Sequence, residues 1–136
     1  MEFNTNVNID PDMISFEEFG QLLDEVAEEM PPEIFINLNG GINLIPDILP
    51  HPDGGDGNLF ILGQYHQGGL LGRYISIFYG SFMQLYGRSS RQFLKRELDR
   101  VLRHEFLHHL ESMAGEKDLE IQDAIRLAQY KGRRDL

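Results

Sequence analysis

Ser89-Ser90-Arg91-Gln92-Phe93-Leu94-Lys95-Arg96-Glu97-Leu98-Asp99-Arg100-Val101-Leu102-Arg103-His104-Glu105-Phe106-Leu107-His108-His109 is the stretch on which the fold turns. Leu94, Leu98, Val101, Leu102, Phe106 and His109 recur at helical intervals over one broad arc, the pattern of a helix packed against a sheet. Ser89 to Gln92 has the S-x-x-Q spacing of a capping box, so the spacing predicts a helix start there. A stop is expected at Gly115. His104, with Glu97 and Arg100, lies on a stripe beside the core arc. His104-Glu105-Phe106-Leu107-His108 reads H-E-x-x-H. Residues four apart sit about 6 Å along a helix axis on one face, so the two imidazoles can share one cation. Glu105 falls roughly 100° round the helix, where its carboxylate can take a proton from a water held by that cation. The motif predicts two metal ligands, His104 and His108, and a general base, Glu105.

Upstream of this helix, Ser15-Phe16-Glu17-Glu18 carries a second capping-box spacing. Phe16, Phe19, Leu22, Leu23, Val26 and Met30 repeat helically until Pro31-Pro32, which predicts an amphipathic helix. Ile34 to Leu38, Gly41 to Leu49 and Leu59 to Gln64 are short apolar runs separated by Asn39-Gly40-Gly41 and by a Pro- and Gly-rich stretch ending at Gly57; these predict strands and a hairpin. Arg73 to Tyr79, ending at Gly80, reads as a further clear strand. Asp53-Gly54-Gly55-Asp56-Gly57-Asn58 lacks the register and closing Glu of a calcium loop and reads as a hairpin turn. Leu119, Ile121, Ile125, Leu127 and Ala128 predict one more helix before a basic tail. Strands before long helices give an α+β class: a small mixed sheet of three to four strands with an N-terminal helix, the motif helix and a C-terminal helix. Residues 1–12, rich in Asn and Asp, are expected to be a flexible arm, and 13–136 a single domain.

Composition narrows the chemistry. The 136 residues include no cysteine, so disulfides, thiolate metal sites and cysteine nucleophiles are excluded, and a metal must be held by imidazole and carboxylate. A formal net charge of −10 opposes a phosphate backbone, so nucleic acid is not an expected partner. No signal peptide or membrane span is read, which predicts a soluble, cytoplasmic protein. A catalytic zinc site needs a third protein ligand. Asp118, beyond Gly115, is the preferred candidate; Glu111, three residues after His108, is second, with Glu116 or Glu120 also open. His109 is expected to pack or hydrogen-bond on the core side. Arg100 is expected in a surface ion pair, and no spacing selects among Tyr65, Tyr79, Tyr86 and Tyr130 for a role at a substrate carbonyl.

From Ser15 to about Leu127 the chain resembles the minimal zincin-like metallopeptidase family of small bacterial proteins, whose pattern is H-E-x-x-H-H-x-G-x-x-D. The likeness rests on His104 to His109, Phe60-Ile61-Leu62-Gly63-Gln64-Tyr65, Ile75-Ser76-Ile77-Phe78-Tyr79-Gly80 and the Phe16-Glu17-Glu18-Phe19 helix. The resemblance implies a reduced zincin fold, Zn2+ as cofactor, a peptide or protein substrate, His104, His108 and Asp118 as ligands and Glu105 as base. Leu110 to Ala114 lengthen the segment before Gly115 by four residues relative to that pattern. This feature favours the alternative reading, a non-catalytic zincin-like module for metal binding or protein interaction.

Overall fold

The computed structural model describes residues 13–54, 59–114 and Arg126. The expected N-terminal arm, the Gly115 stop, Asp118, Glu116, Glu120 and the residues read for a C-terminal helix, Leu119, Ile121, Ile125, Leu127 and Ala128, lie outside them. Helix α1 (Phe16–Glu28) starts as its sequence dictates: the Glu18 N–H donates to Ser15 Oγ and the Ser15 N–H to Glu18 Oε1, each at 3.1 Å. It buries Phe19, Leu22, Leu23 and Val26, each contributing roughly 1.5–3 kcal/mol by leaving water.

The strand expected over Ile34 to Leu38 is not one. Pro32 opens a 3-10 turn, Pro32–Phe35, because a proline φ is already helical and its missing N–H costs nothing at a helix start. A tight turn follows, closed by Leu38 N–H to the Phe35 carbonyl at 3.1 Å. Ile36 sits at φ −55, ψ 127 and Asn37 at φ 61. These are the central angles of a type II turn, and asparagine is among the residues that tolerate the second.

Among the described residues, three strands form the sheet: β1 (Ile42–Ile45), β2 (Gly63–His66) and β3 (Tyr74–Phe78). Their order is β1-β3-β2, with β1 parallel and β2 antiparallel to β3. The sheet is therefore mixed, and β3, with Ile75 and Ile77 fully buried, is its centre. The runs read as Gly41 to Leu49 and Leu59 to Gln64 contain β1 and the start of β2, while Phe60 makes an isolated bridge to Pro50. Residues 55–58 of the expected hairpin turn lie outside the described residues.

Helix α2 (Tyr79–Tyr86) follows β3 directly. The sequence does not announce it, since it has no side-chain cap. Gly80, read as a strand terminator, sits in its first turn, where a Cβ would lie 2.6 Å from the Asp47 carbonyl. Helix α3 (Arg91–Met113) then runs for 23 residues. Its N-cap is Ser90, whose Oγ accepts from the Phe93 N–H at 3.1 Å. The capping box expected from Ser89 is absent because Phe93, at the third helical position, has no group to reach back. Leu44 meets α1 at Gly20, and Ile77, its partner in register, lies beside Val101 of α3 at Gly63. Both helices thus cover one face of the sheet and close the core between them.

Candidate metal centre on helix α3

Helix α3 buries Leu94, Leu98, Val101, Leu102, Glu105, Phe106, His109, Leu110 and Met113, the arc the periodicity predicts with Glu105, Leu110 and Met113 added. His104 and His108 stand exposed beside it. Their Nε2 atoms are 3.1 Å apart, with ring centroids 4.6 Å apart and planes at 85°. Two nitrogens at the usual zinc distance in a tetrahedral shell lie about 3.3 Å from each other. The donor pair fits one transition-metal cation without rearrangement of the helix.

Glu105 is 6% exposed. Gly63 on β2 makes this possible: a Cβ there would lie 3.3 Å from Glu105 Cγ and 2.9 Å from Val101 Cγ1. The backbone N–H of Tyr65 lies close enough to the carboxylate to favour its charged form. Burial pushes the carboxyl above its ordinary value of 4.5, while His104, His108 and the Tyr65 N–H pull the other way. An acid desolvated in this fashion, next to a donor pair, is placed to accept and return a proton.

The sequence reading missed the part played by Tyr65. Its hydroxyl lies 2.9 Å from His109 Nδ1 and 3.1 Å from Ser112 Oγ. His109 Nε2 donates to the Ile36 carbonyl at 2.7 Å, which requires Nδ1 to accept from Tyr65. The type II turn leaves that carbonyl without a ladder partner, and His109, fully buried, satisfies it. Burial lowers the His109 pKa; the Ile36 hydrogen bond raises it, and the charge of Arg73 lowers it further. One strand residue thus sets the charge preference of the acid through its backbone and ties down helix α3 through its ring. The signal for it was the two-residue spacing of Gly63 and Tyr65 on the face of β2 toward α3, which is readable only once the two elements are known to touch. Of the other tyrosines, Tyr79 donates to the Ile14 carbonyl at 2.6 Å, Tyr86 packs on Phe82 and Phe93, and Tyr130 lies outside the described residues.

Glu111, the second candidate for the third ligand, stands beside His108 Nδ1 at 3.8 Å, on the ring nitrogen turned away from His104. At that distance it makes no hydrogen bond, and it lies on the side of the ring away from the Nε2 pair. Asp118, Glu116 and Glu120 are outside the described residues, and among those described no group of three or more metal-ligating side chains is assembled. Arg100 is held by Glu97 at 2.8 Å, the surface pairing expected of it, one residue closer than the i, i+4 spacing. The strand read over Arg73 to Tyr79 is the central one of the sheet, and the edge beside Glu105 is β2.

A conserved hypothetical protein from Thermus thermophilus has a similar solved structure, with 31% sequence identity and a TM-score of 0.66 over 75% of this chain and 99% of that one. The chain belongs to the same family as that protein. The shared architecture is a small α+β fold with a mixed three-stranded sheet. No family profile matches the chain, and no curated protein does. No helix of the described residues is long and apolar enough to cross a membrane.

Proposed function

We propose that the protein is a zincin-like, zinc-dependent metallopeptidase. The observation that carries this reading is the 3.1 Å convergence of His104 and His108 Nε2 one helical step from a buried carboxylate. His104 and His108 would hold the ion, with a third donor that we assign to Asp118. When bound, the ion would supply Lewis acidity, lowering the pKa of water and polarising a peptide carbonyl.

The remaining steps belong to the chain itself. Glu105 takes the proton of the attacking water and passes it to the leaving amine, and its burial, which raises its affinity for a proton, suits it to that transfer. The Tyr65 N–H favours the charged form of the carboxylate. Edge strand β2 offers an extended peptide a backbone to pair with, since its outer side has no strand partner among the described residues.

Elemental analysis after purification without chelators, joined to a peptide-library cleavage assay, tests the reading. We expect about one zinc per chain, cleavage in the wild type, and a loss of 10²-fold or more in Glu105→Gln with zinc retained. Turnover preserved in Glu105→Gln would remove Glu105 from the mechanism. Zinc bound with no cleavage of any peptide would favour the non-catalytic module.

A further inference from the structure

The loop joining β2 to β3 walls a recess of about 360 Å³ lined by Asn39, Gln67, Gly68, Gly72 and Arg73. It is built tightly. Gly40 donates its N–H to the Arg73 carbonyl at 2.8 Å, and a Cβ on Gly40 would lie 2.7 Å from Tyr74 Cβ and 3.0 Å from the Leu71 carbonyl oxygen. Gly68 and Gly72 take positive φ of 98 and 71, conformations other residues rarely adopt. Into this frame the strand delivers a single guanidinium.

Arg73 is half-buried, and its Nε is shielded from solvent with no hydrogen-bond partner. No described acid pairs with it, whereas Arg91, Lys95, Arg100 and Arg103 each hold a carboxylate at 3.0 Å or less. In a chain of net charge −10, a guanidinium with a shielded, unpaired Nε and no described acid beside it has hydrogen-bonding capacity to spare, and its place in a recess opens that capacity to a group from outside. A guanidinium fork matches a carboxylate in two parallel hydrogen bonds. The amides of Asn39 and Gln67 add neutral donors, which suits a monoanion better than a phosphate dianion in this acidic molecule.

Chain connectivity ties the recess to the candidate centre. The Tyr65 N–H acts on Glu105, and Gln67, which lines the recess, is two residues farther along the chain, within about 7 Å. We propose that the Arg73 recess binds a peptide carboxylate, either a chain terminus or an acidic side chain, about two residues from the bond beside Glu105. As a carboxylate site it stands alone; as a specificity subsite it rests on the peptidase reading.

The test follows the backbone amide resonances of Gln67, Gly68 and Gly72, which line the recess in wild type and variants alike, together with the Arg73 Nε–H resonance of the wild type, by NMR in the full chain, metal-free and with one equivalent of zinc. The probes are acetyl-trialanine as free acid, its neutral amide, acetyl-Ala-Ala-Glu-amide and inorganic phosphate. A saturable shift with a carboxylate probe, none with the neutral amide, and affinity at least about tenfold weaker in Arg73→Gln are expected. Response to the free acid alone names a chain terminus, and response to the glutamyl amide alone names a side chain. Equal binding of the neutral amide, tighter binding of phosphate, or unchanged affinity in the variant would overturn the site. Should Arg73→Gln unfold by circular dichroism, Arg73→Lys replaces it, keeping the charge and losing the fork, with the same tenfold criterion. Binding that persists in a protein without zinc or cleavage would leave this site standing while the peptidase reading fell. Cleavage without carboxylate binding would do the reverse.

Discussion

His109 follows the motif directly and does the most structural service of the histidines on α3. It is sealed between Tyr65 and the Ile36 carbonyl, and its neutral form is the one the site accommodates. Burial holds its folded pKa below the ordinary 6.5, so the unfolded chain binds the extra proton first. Stability is therefore full above pH 6.5 and declines as pH falls through the folded value. We expect urea midpoints of the metal-free protein to drop between pH 7 and pH 5, and that slope to flatten in His109→Gln. A slope unchanged by the substitution would assign the acid sensitivity to other groups. Glu105 works in the opposite sense. With its pKa raised above 4.5, it favours the folded state at low pH, and this contribution is lost as pH rises through the higher folded value. The motif spacing announced His104, Glu105 and His108. It could not announce Tyr65, whose partners are 44 and 47 residues away.

Helix α3 has one true cap where its sequence offered two serines. Ser90 Oγ accepts the Phe93 N–H, while the Ser89 N–H is spent on the Tyr86 carbonyl at 2.9 Å. Ser90→Ala is expected to cost about 1 kcal/mol, and Ser89→Ala within about 0.5 kcal/mol of nothing, measured by denaturant unfolding. The reverse order would move the helix start back by one residue. The apolar period of α1 and α3 was strong enough to be read unaided, since each spans several turns against one core. The short elements were not. Ile34 to Leu38 has strand-like composition, yet Pro32 and Asn37 turn it into a 3-10 turn and a type II turn. Tyr79 to Tyr86 lacks a cap signal, and its helix forms because Phe82 and Met83 can be buried there.

At the level of the whole molecule, a cation shared by His104 and His108 would bind only the folded chain, because the two rings converge only when α3 is formed. Zinc at a hundred times its dissociation constant should then add about 2.7 kcal/mol to stability, on the order of 5–15 °C in Tm. Calorimetry with and without a chelator measures this. His104→Ala and His108→Ala should each abolish the zinc-dependent part while leaving the metal-free Tm within a few degrees, since both side chains are exposed. A zinc shift that survives both substitutions would place the ion elsewhere.

Local spacing alone determined the two amphipathic helices, the α+β class and the paired imidazoles with their adjacent acid, because those patterns repeat within a few residues and need no partner to be recognised. Only the tertiary structure decided that β2 is the edge beside Glu105, that Gly63 lets the helix come so near, and that Tyr65, His109 and the Ile36 carbonyl lock together. Each of these depends on segments distant in sequence coming within a few ångströms, where close packing and the dehydration of polar groups select the arrangement.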